Sequence, residues 1–207
     1  FVDSVCAETV PQNRLNIKIL ALCSVLNSFS FDYLVRQKVS SNVMFYLIEM
    51  LPLPDCILLN SSFFINNCLR LISNHIDFEP LWREQVGNEW REPGKKPFTW
   101  PVLETEKERW EVRSAIDAVV ADAYGLDRDQ YEHILKSFDR ASGKNPFTEI
   151  CLEKFDELKK IGIDKFTEKY DPYFDIPLNE ELPKPVIELP EIASEDGGNR
   201  ASGTGQL

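Results

Sequence analysis

The sequence predicts a mainly α protein: a helical bundle with a short β or extended segment near residues 42–51 and a proline-rich C-terminal strap. Apolar residues recur at steps of three and four in several long segments. Capping residues and glycines mark the ends of these segments, and the alternating apolar and polar runs of strands are scarce. The 207 residues are 43% hydrophobic, which is enough to fill a core.

The first segment predicts a long helix from Leu15 to Tyr33 with one stripe facing the core. Its apolar positions are Leu15, Ile19, Leu22, Leu26, Phe29 and Tyr33. The helix runs into a polar, basic loop, Arg36-Gln37-Lys38-Val39-Ser40-Ser41-Asn42. The best strand candidates are the stretch from Asn42 to Leu51 and the first ten residues.

The middle of the chain predicts a helix from Cys56 to His75, which is buried on both sides because apolar residues crowd more than one face. A loop follows, roughly Gly87 to Pro101, where glycines and prolines prevent regular structure. The next helix covers Thr105 to Ala123 and stops at Gly125.

Two further helices have recognisable starts. Asp127 with Gln130 forms a capping box for one of them. Asn145-Pro146 opens the other, with proline where its missing N–H costs nothing, and Gly162 closes it. These elements divide the chain into the end of one region (1–54), a helical domain (55–170), an extended strap (171–193) and a disordered tail (194–207).

The net charge of −11 is concentrated at the C-terminal end. Residues 1–54 hold four acids and four bases and are neutral, whereas residues 171–207 hold eight acids and two bases, a balance of 2 − 8 = −6. A segment of that sign is repelled by a phosphate backbone. We therefore expect the strap and tail to lie away from any nucleic acid.

The cysteines and the apolar runs predict a cytoplasmic protein. The five cysteines are scattered without C-x-x-C spacing, as reduced core residues are. No apolar run reaches the roughly 18 residues that span a bilayer, so no membrane contact is expected. The opening FVDSVCAETVPQNR lacks the pattern of a signal peptide and predicts a piece of a longer protein.

Several fragments imitate active-site motifs, but each is better explained as structure. Asn145-Pro146-Phe147 lacks the second proline of the loop with which adenine methyltransferases hold a base, and it suits a helix start. Glu157-Leu158-Lys159 has a nuclease-like spacing but falls inside a helix. His75 and His133 have no nucleophile nearby. The sequence thus predicts no catalytic, metal-binding or cofactor-binding residue in this chain.

Two stretches carry a resemblance to a known family. LNSFSFDYLVRQKVSSNVMFYLIEMLPLP and, downstream, PFTWPVLETEKERWEVRSAIDAVVADAYGLDRDQYEHILKSF resemble the C-terminal target-recognition and helical region of DNA adenine-N6 methyltransferases. The family is the bifunctional type IIG restriction-modification class together with related phage-defence systems. The two stretches cover about a third of the chain and occur in the family's order. Neither is a catalytic signature.

The resemblance implies a non-catalytic C-terminal segment that completes and braces the DNA target-recognition region. The parent enzyme would transfer a methyl group from S-adenosylmethionine, bound outside this segment, to adenine N6 of double-stranded DNA, and could also act as a nuclease. Its partners would be the methyltransferase core of the same chain and other defence-system subunits. We expect Arg36 and Lys38 to contact phosphates or guanine, and Gln37 and Asn42 to contact adenine or to position the loop. Ser40 and Ser41 complete the predicted DNA-binding set and stand where the family often has glycine.

An alternative from another class is a helical protein–protein docking module that never contacts DNA. The charge of −11 supports it. So do four aromatic residues expected on exposed loops, a residue type enriched at interfaces: Trp82, Trp90, Trp100 and Tyr173. A solvated helix end remains an explanation of the basic loop, and a stand-alone enzyme is disfavoured because every catalytic motif fails.

Overall fold

The computed structural model describes residues 16–39, 45–54, 61–87, 91, 103–141 and 143–177. Within these ranges the protein is mainly helical, as predicted, and no strand forms among them. The helices in chain order are α1 (Asn16–Leu26), α2 (Phe29–Lys38), α3 (Phe45–Glu49), α4 (Ser61–Ile72), α5 (Glu79–Val86), α6 (Glu106–Ala123), α7 (Arg128–Lys136), α8 (Thr148–Ile161) and α9 (Ile163–Tyr170). A 3-10 turn, Ile76–Phe78, precedes α5.

The predicted long first helix is wrong, because the chain breaks at Asn27 and Ser28 into α1 and α2. Asn27 Nδ2 donates to the carbonyl of Cys23 at 2.8 Å, which ends α1. The Ser28 hydroxyl accepts from the N–H of Phe31 at 3.2 Å and so caps α2. Within the described chain no single helix is long and apolar enough to cross a membrane; α1 and α2 pass that test only as a pair bent by 71°.

The break changes which side chains are buried. Val25 and Phe31, which lie off the predicted stripe, are almost completely buried, whereas Ile19 on the stripe is 41% exposed. Leu26 and Phe29 still pack against the core as partly buried residues. The two short helices therefore meet the core through different faces.

The segment after α2 was predicted as extended, but residues 45–49 form α3. Ile48 and Leu51 are the residues that pack inward, and their spacing of three suits a helix. The N–H of Leu51 donates to the carbonyl of Ile48 at 3.1 Å. Short apolar runs do not distinguish strand from helix by pattern alone, which explains the error. Residues 42–44 and the predicted N-terminal strand fall on parts of the chain that are not described.

Helix α6 is the centre of the bundle. It packs against α8 along much of its length and also contacts α1, α2, α4 and α9. Nearly every residue from Val112 to Ala121 is buried. In α4, residues 63–69 are buried without interruption, which confirms the predicted burial on both sides. One cluster of buried side chains joins these helices with α1 and α2.

The helix ends agree closely with the local sequence signals. Asp127 and Gln130 form the predicted capping box at α7, and Thr105 forms another at α6. Gly125 and Gly162 follow α6 and α8 with φ of +71° and +84°, a backbone conformation that other residues rarely adopt.

The helix predicted to open at Asn145-Pro146 begins slightly later, at Thr148. Asn145 Oδ1 accepts from the N–H of Phe147 at 3.1 Å, so the asparagine forms a turn that leads into α8.

The start of the predicted strap, residues 171–177, folds back onto α4 and α5. The buried Asp171 carboxylate accepts from Nδ2 of Asn66 at 2.9 Å. Tyr173 is fully buried and packs edge-on against Trp82, with ring centroids 5.5 Å apart. The expectation that Trp82 and Tyr173 are exposed is therefore wrong, because both rings fill a gap between elements distant in sequence. Trp90, Trp100, residues 178–193 and the tail 194–207 lie outside the described residues.

Candidate nucleic-acid interface

The C-terminal half of α2 and the loop between α7 and α8 meet over a cluster of aromatic rings. Phe29 contacts Phe138 edge-on at 4.8 Å between ring centroids, and Trp110 stacks on Phe147 at 3.3 Å. Phe29 and Trp110 lie nearly parallel at 6.3 Å, which joins the two pairs. Residues from α2, α6 and the two sides of the loop thus form one rigid apolar floor.

Three cations line a cavity of about 500 Å³ above this floor. The guanidinium carbon of Arg36 lies 4.2 Å from the centre of the Phe138 ring, in a cation–π contact. Arg36 also donates to Asp32 Oδ2 at 2.9 Å. Arg140 and Lys144 are exposed residues of the α7–α8 loop and line the same cavity. The positive charge is drawn from two separate parts of the chain.

The loop that carries Arg140 and Lys144 is held by its own hydrogen bonds. Arg140 and Gly143 exchange both backbone hydrogen bonds at 2.9 Å. Asp139 Oδ1 accepts from the N–H of Asn145 at 2.7 Å. These contacts fix the loop's shape before any ligand arrives, which limits the ordering cost of binding.

Asn145 offers a donor to the same cavity. Its Nδ2 atom is buried and has no hydrogen-bond partner among the described residues, although its Oδ1 is satisfied. Buried polar groups nearly always have a partner, so this amide is an unsatisfied group in the cavity wall, and a ligand reaches it only if neighbouring side chains move. Cations, an amide and aromatic rings together suit phosphate and base contacts.

The structure describes three of the six predicted DNA-binding residues. Arg36 lines the cavity, and Gln37 and Lys38 are exposed in the last turn of α2. The prediction that these three lie in a loop is wrong, because α2 continues through Lys38 and the N–H of Val39 still donates to the carbonyl of Val35. The positions of the other predicted residues, Ser40, Ser41 and Asn42, are not described.

Arg140, Lys144 and Asn145 line the cavity but are absent from the predicted set of DNA-binding residues. Their segment, RASGKN, combines two cations with a glycine and a turn-forming asparagine, which is a usable signal for a phosphate-contacting loop. It was interpreted only as the approach to a helix. The contact with α2 depends on tertiary packing and has no local signature.

The Glu-x-Lys residues, whose spacing resembles that of a nuclease motif, form contacts within the helical bundle. Glu157 is bound by Lys169 and Tyr170, whereas Lys159 pairs with Asp122, so the Glu-x-Lys residues face different partners. In the described ranges, no group of three or more His, Cys, Asp or Glu residues could hold a metal ion.

A second cavity, of about 420 Å³, adjoins the first through Phe29 and Trp110. Its lining includes the buried carboxyl of Asp117, whose Oδ1 accepts from the N–H of Phe29 at 2.9 Å. Burial raises the pKa of Asp117 to about 8, although hydrogen bonds from the Phe29 and Ser30 N–H groups lower it. Asp117 therefore caps α2 from the central helix.

Comparison with protein families, with curated proteins and with solved structures finds no match to this chain.

Proposed function

We propose that this chain is a non-catalytic C-terminal segment of a cytoplasmic DNA adenine-N6 methyltransferase of a restriction-modification or phage-defence system. It would complete and brace the DNA target-recognition region. The sequence resemblance motivates this proposal. The observation that carries it is the convergence of Arg36, Arg140 and Lys144 over one aromatic floor. S-adenosylmethionine would bind to the methyltransferase core of the parent chain, which is the partner that this segment supports.

The site suits DNA contact despite the net charge of −11. Exposed charges separated by more than about 10 Å are largely screened at moderate salt, so the charge at the cavity is set by its three cations together with Asp139 in the lining and Asp32 beside Arg36. Arg140 and Lys144 are exposed and suit phosphate contacts. Arg36 is held over Phe138 and donates to Asp32 from Nε and Nη2, so a contact with guanine or phosphate would use its remaining N–H groups.

The proposal is tested by measuring duplex DNA binding by fluorescence anisotropy across a salt series. Arg140→Ala and Lys144→Ala should each weaken binding and lower the slope of log affinity against log salt by about one, because each removes one phosphate contact. Lys160→Ala is the matched control. It removes the same charge from an exposed position at the far end of α8, roughly 20 Å from the cavity.

Equal losses in Lys144→Ala and Lys160→Ala would show that only bulk charge matters, and the interface would be rejected. In the parent enzyme, the loop variants should slow methyl transfer to DNA without changing the affinity for S-adenosylmethionine. Wild-type methylation by both loop variants would also contradict the proposal.

A docking module that does not contact DNA is the second candidate, and the surface of α3 favours it. Tyr46, Met50 and Leu53 are large exposed apolar residues close together in sequence, and Met50 is 76% exposed. Such side chains are typical of protein contacts. If Met50→Asp abolishes assembly with the methyltransferase core while the loop variants methylate DNA normally, the docking function replaces the DNA-contact function.

A further inference from the structure

Two cysteines from different helices meet in the 420 Å³ cavity. Cys23 belongs to α1 and Cys68 to α4, and both line the cavity wall. The hydroxyl of Ser24 donates to the carbonyl of Phe64 at 2.9 Å, which fixes the position of α1 along α4. Cys68 lies one helical turn beyond Phe64, roughly 6 Å along the axis. Cys23 and Cys68 therefore lie on neighbouring turns of two packed helices, and their side chains are within hydrogen-bonding reach of each other.

The two thiols differ in exposure and in acidity. Cys23 is partly exposed and Cys68 is buried. Hydrogen bonding from the Cys68 thiol lowers the pKa of Cys23 to about 7, opposed by burial and assisted by the Asn27 amide, whose Nδ2 lies 3.6 Å from the Cys23 sulfur. The same hydrogen bond, together with burial, raises the pKa of Cys68. Because Cys23 is the more exposed of the two thiols and the direction of its pKa shift favours the thiolate, Cys23 is the sulfur that a reagent reaches first.

The rest of the cavity favours an anionic reagent. Arg109 and Arg113 line it, and Arg109 is held in place because its Nη2 donates to the carbonyl of Leu71 at 3.0 Å. The acids that line the cavity are Asp32, which pairs with Arg36, and Asp117, whose raised pKa keeps it largely protonated at neutral pH. Two guanidinium groups therefore line the same cavity as the thiol pair, with little opposing charge in the lining.

We propose that Cys23 and Cys68 form a redox-active thiol pair that reacts with small anionic disulfides of the glutathione class and closes to an intramolecular disulfide. In the first step the Cys23 thiolate attacks one sulfur of the reagent, forms a mixed disulfide and releases one thiolate. In the second step the Cys68 sulfur attacks the Cys23 sulfur, and the leaving thiolate takes the Cys68 proton. The protein loses two electrons and two protons overall, and the reagent disulfide is reduced to two thiols. This site is independent of DNA contact.

The test uses the full chain, with Cys6 and Cys56, which lie in parts that are not described, replaced by serine in every protein. Reduced protein is incubated with oxidised glutathione, its remaining thiols are alkylated, and its peptides are analysed by mass spectrometry. Wild-type protein should yield a Cys23–Cys68 linked peptide lighter by two hydrogen atoms, reversed by dithiothreitol. Cys68→Ser should stop at the mixed disulfide on Cys23, and Cys23→Ser should form neither product.

Cys151 provides the matched control, because it is fully buried and burial raises its pKa. In short exposures to iodoacetamide at neutral pH, Cys23 should be labelled at least about tenfold faster than Cys151. A mixed disulfide that persists on wild-type Cys23 without a linked peptide would overturn the proposal. Equal labelling of Cys23 and Cys151 in folded protein would overturn it as well, and circular dichroism identifies variants that fail to fold.

Discussion

At the scale of single residues, Asp117 shows how one buried carboxyl shapes the bundle. It lies in the middle of the central helix and is 4% exposed, yet it accepts the N–H of Phe29 at the start of α2. A carboxyl at a helix N-terminus satisfies an N–H group that would otherwise lack a partner. Burial disfavours the ionised carboxylate, whereas the hydrogen bonds from the backbone favour it. The pKa of Asp117 is raised because the desolvation cost is the larger of the two effects.

Asp117→Asn should make stability less sensitive to pH. The pKa of this acid is about 8 when folded and 3.8 ordinarily, so between these values the folded protein keeps a proton that the unfolded chain has lost. The contribution of Asp117 to the wild-type free energy of unfolding should therefore be fully present below about pH 4 and decrease toward pH 8, by at most about 1.4 kcal/mol per unit. Asparagine keeps the Oδ1 acceptor and cannot ionise, so the variant should be the more stable protein at pH 8.

Urea titrations across this pH range measure the effect. Asp164→Asn, the same chemical change at an exposed position, should leave the wild-type dependence on pH unchanged. A parallel fall in wild-type protein and Asp117→Asn would show that Asp117 is ionised in the folded protein.

At the scale of elements, local signals predicted more than distant contacts did. The capping box of Asp127 and Gln130 and the stops at Gly125 and Gly162 follow from a few neighbouring residues, so the sequence predicts them correctly. The break between α1 and α2 combines the local cap of Ser28 with a hydrogen bond to Asp117, which lies 88 residues from Phe29 and has no local signature. The predicted apolar stripe therefore extends across Asn27 and Ser28, where the helix breaks and tertiary contacts stabilise the break.

The candidate site also combines a residue that local sequence indicates with residues that only tertiary contacts bring close. Arg36 was predicted from its position beside polar residues at the end of an apolar helix. Its partners Arg140, Lys144 and Asn145 lie more than 100 residues away along the chain, and only the packing of α2 against α7 brings them close. The residue types were visible in the sequence, but their convergence was not.

Phe31→Ala tests the corrected boundaries of α1 and α2. Phe31 is 2% exposed and packs into the shared core, so its truncation should lower the free energy of unfolding by about 3–5 kcal/mol. Ile19→Ala, at a 41% exposed position on the originally predicted stripe, should change it by only about 0.5 kcal/mol. Denaturant unfolding compares the two directly. If Ile19→Ala were the more destabilising substitution, the result would favour the single continuous helix that the sequence predicts.

At the scale of the whole molecule, the segment after α9 joins parts of the chain that are far apart. Asp171 binds Asn66 in α4, Tyr173 packs on Trp82 in α5, and Asp175 forms an ion pair with Arg91. Burial raises the pKa of Asp171 to about 6, against the hydrogen bond from Asn66. Asp171 and Tyr173 thus belong to the core packing of the bundle.

Tyr173→Ala should destabilise the whole bundle, which distinguishes a core residue from a docking residue. Removing a fully buried aromatic ring should lower the free energy of unfolding by about 3–5 kcal/mol, because the space beside Trp82 cannot refill. Phe174→Ala is the matched control: the adjacent ring is 49% exposed, and its loss should cost only about 0.5 kcal/mol. Thermal unfolding followed by circular dichroism at 222 nm, a wavelength that reports helix, measures both variants. If Tyr173→Ala melts at the wild-type temperature and impairs only the binding of a partner, the segment serves docking, and its packing onto α4 and α5 contributes little to the fold.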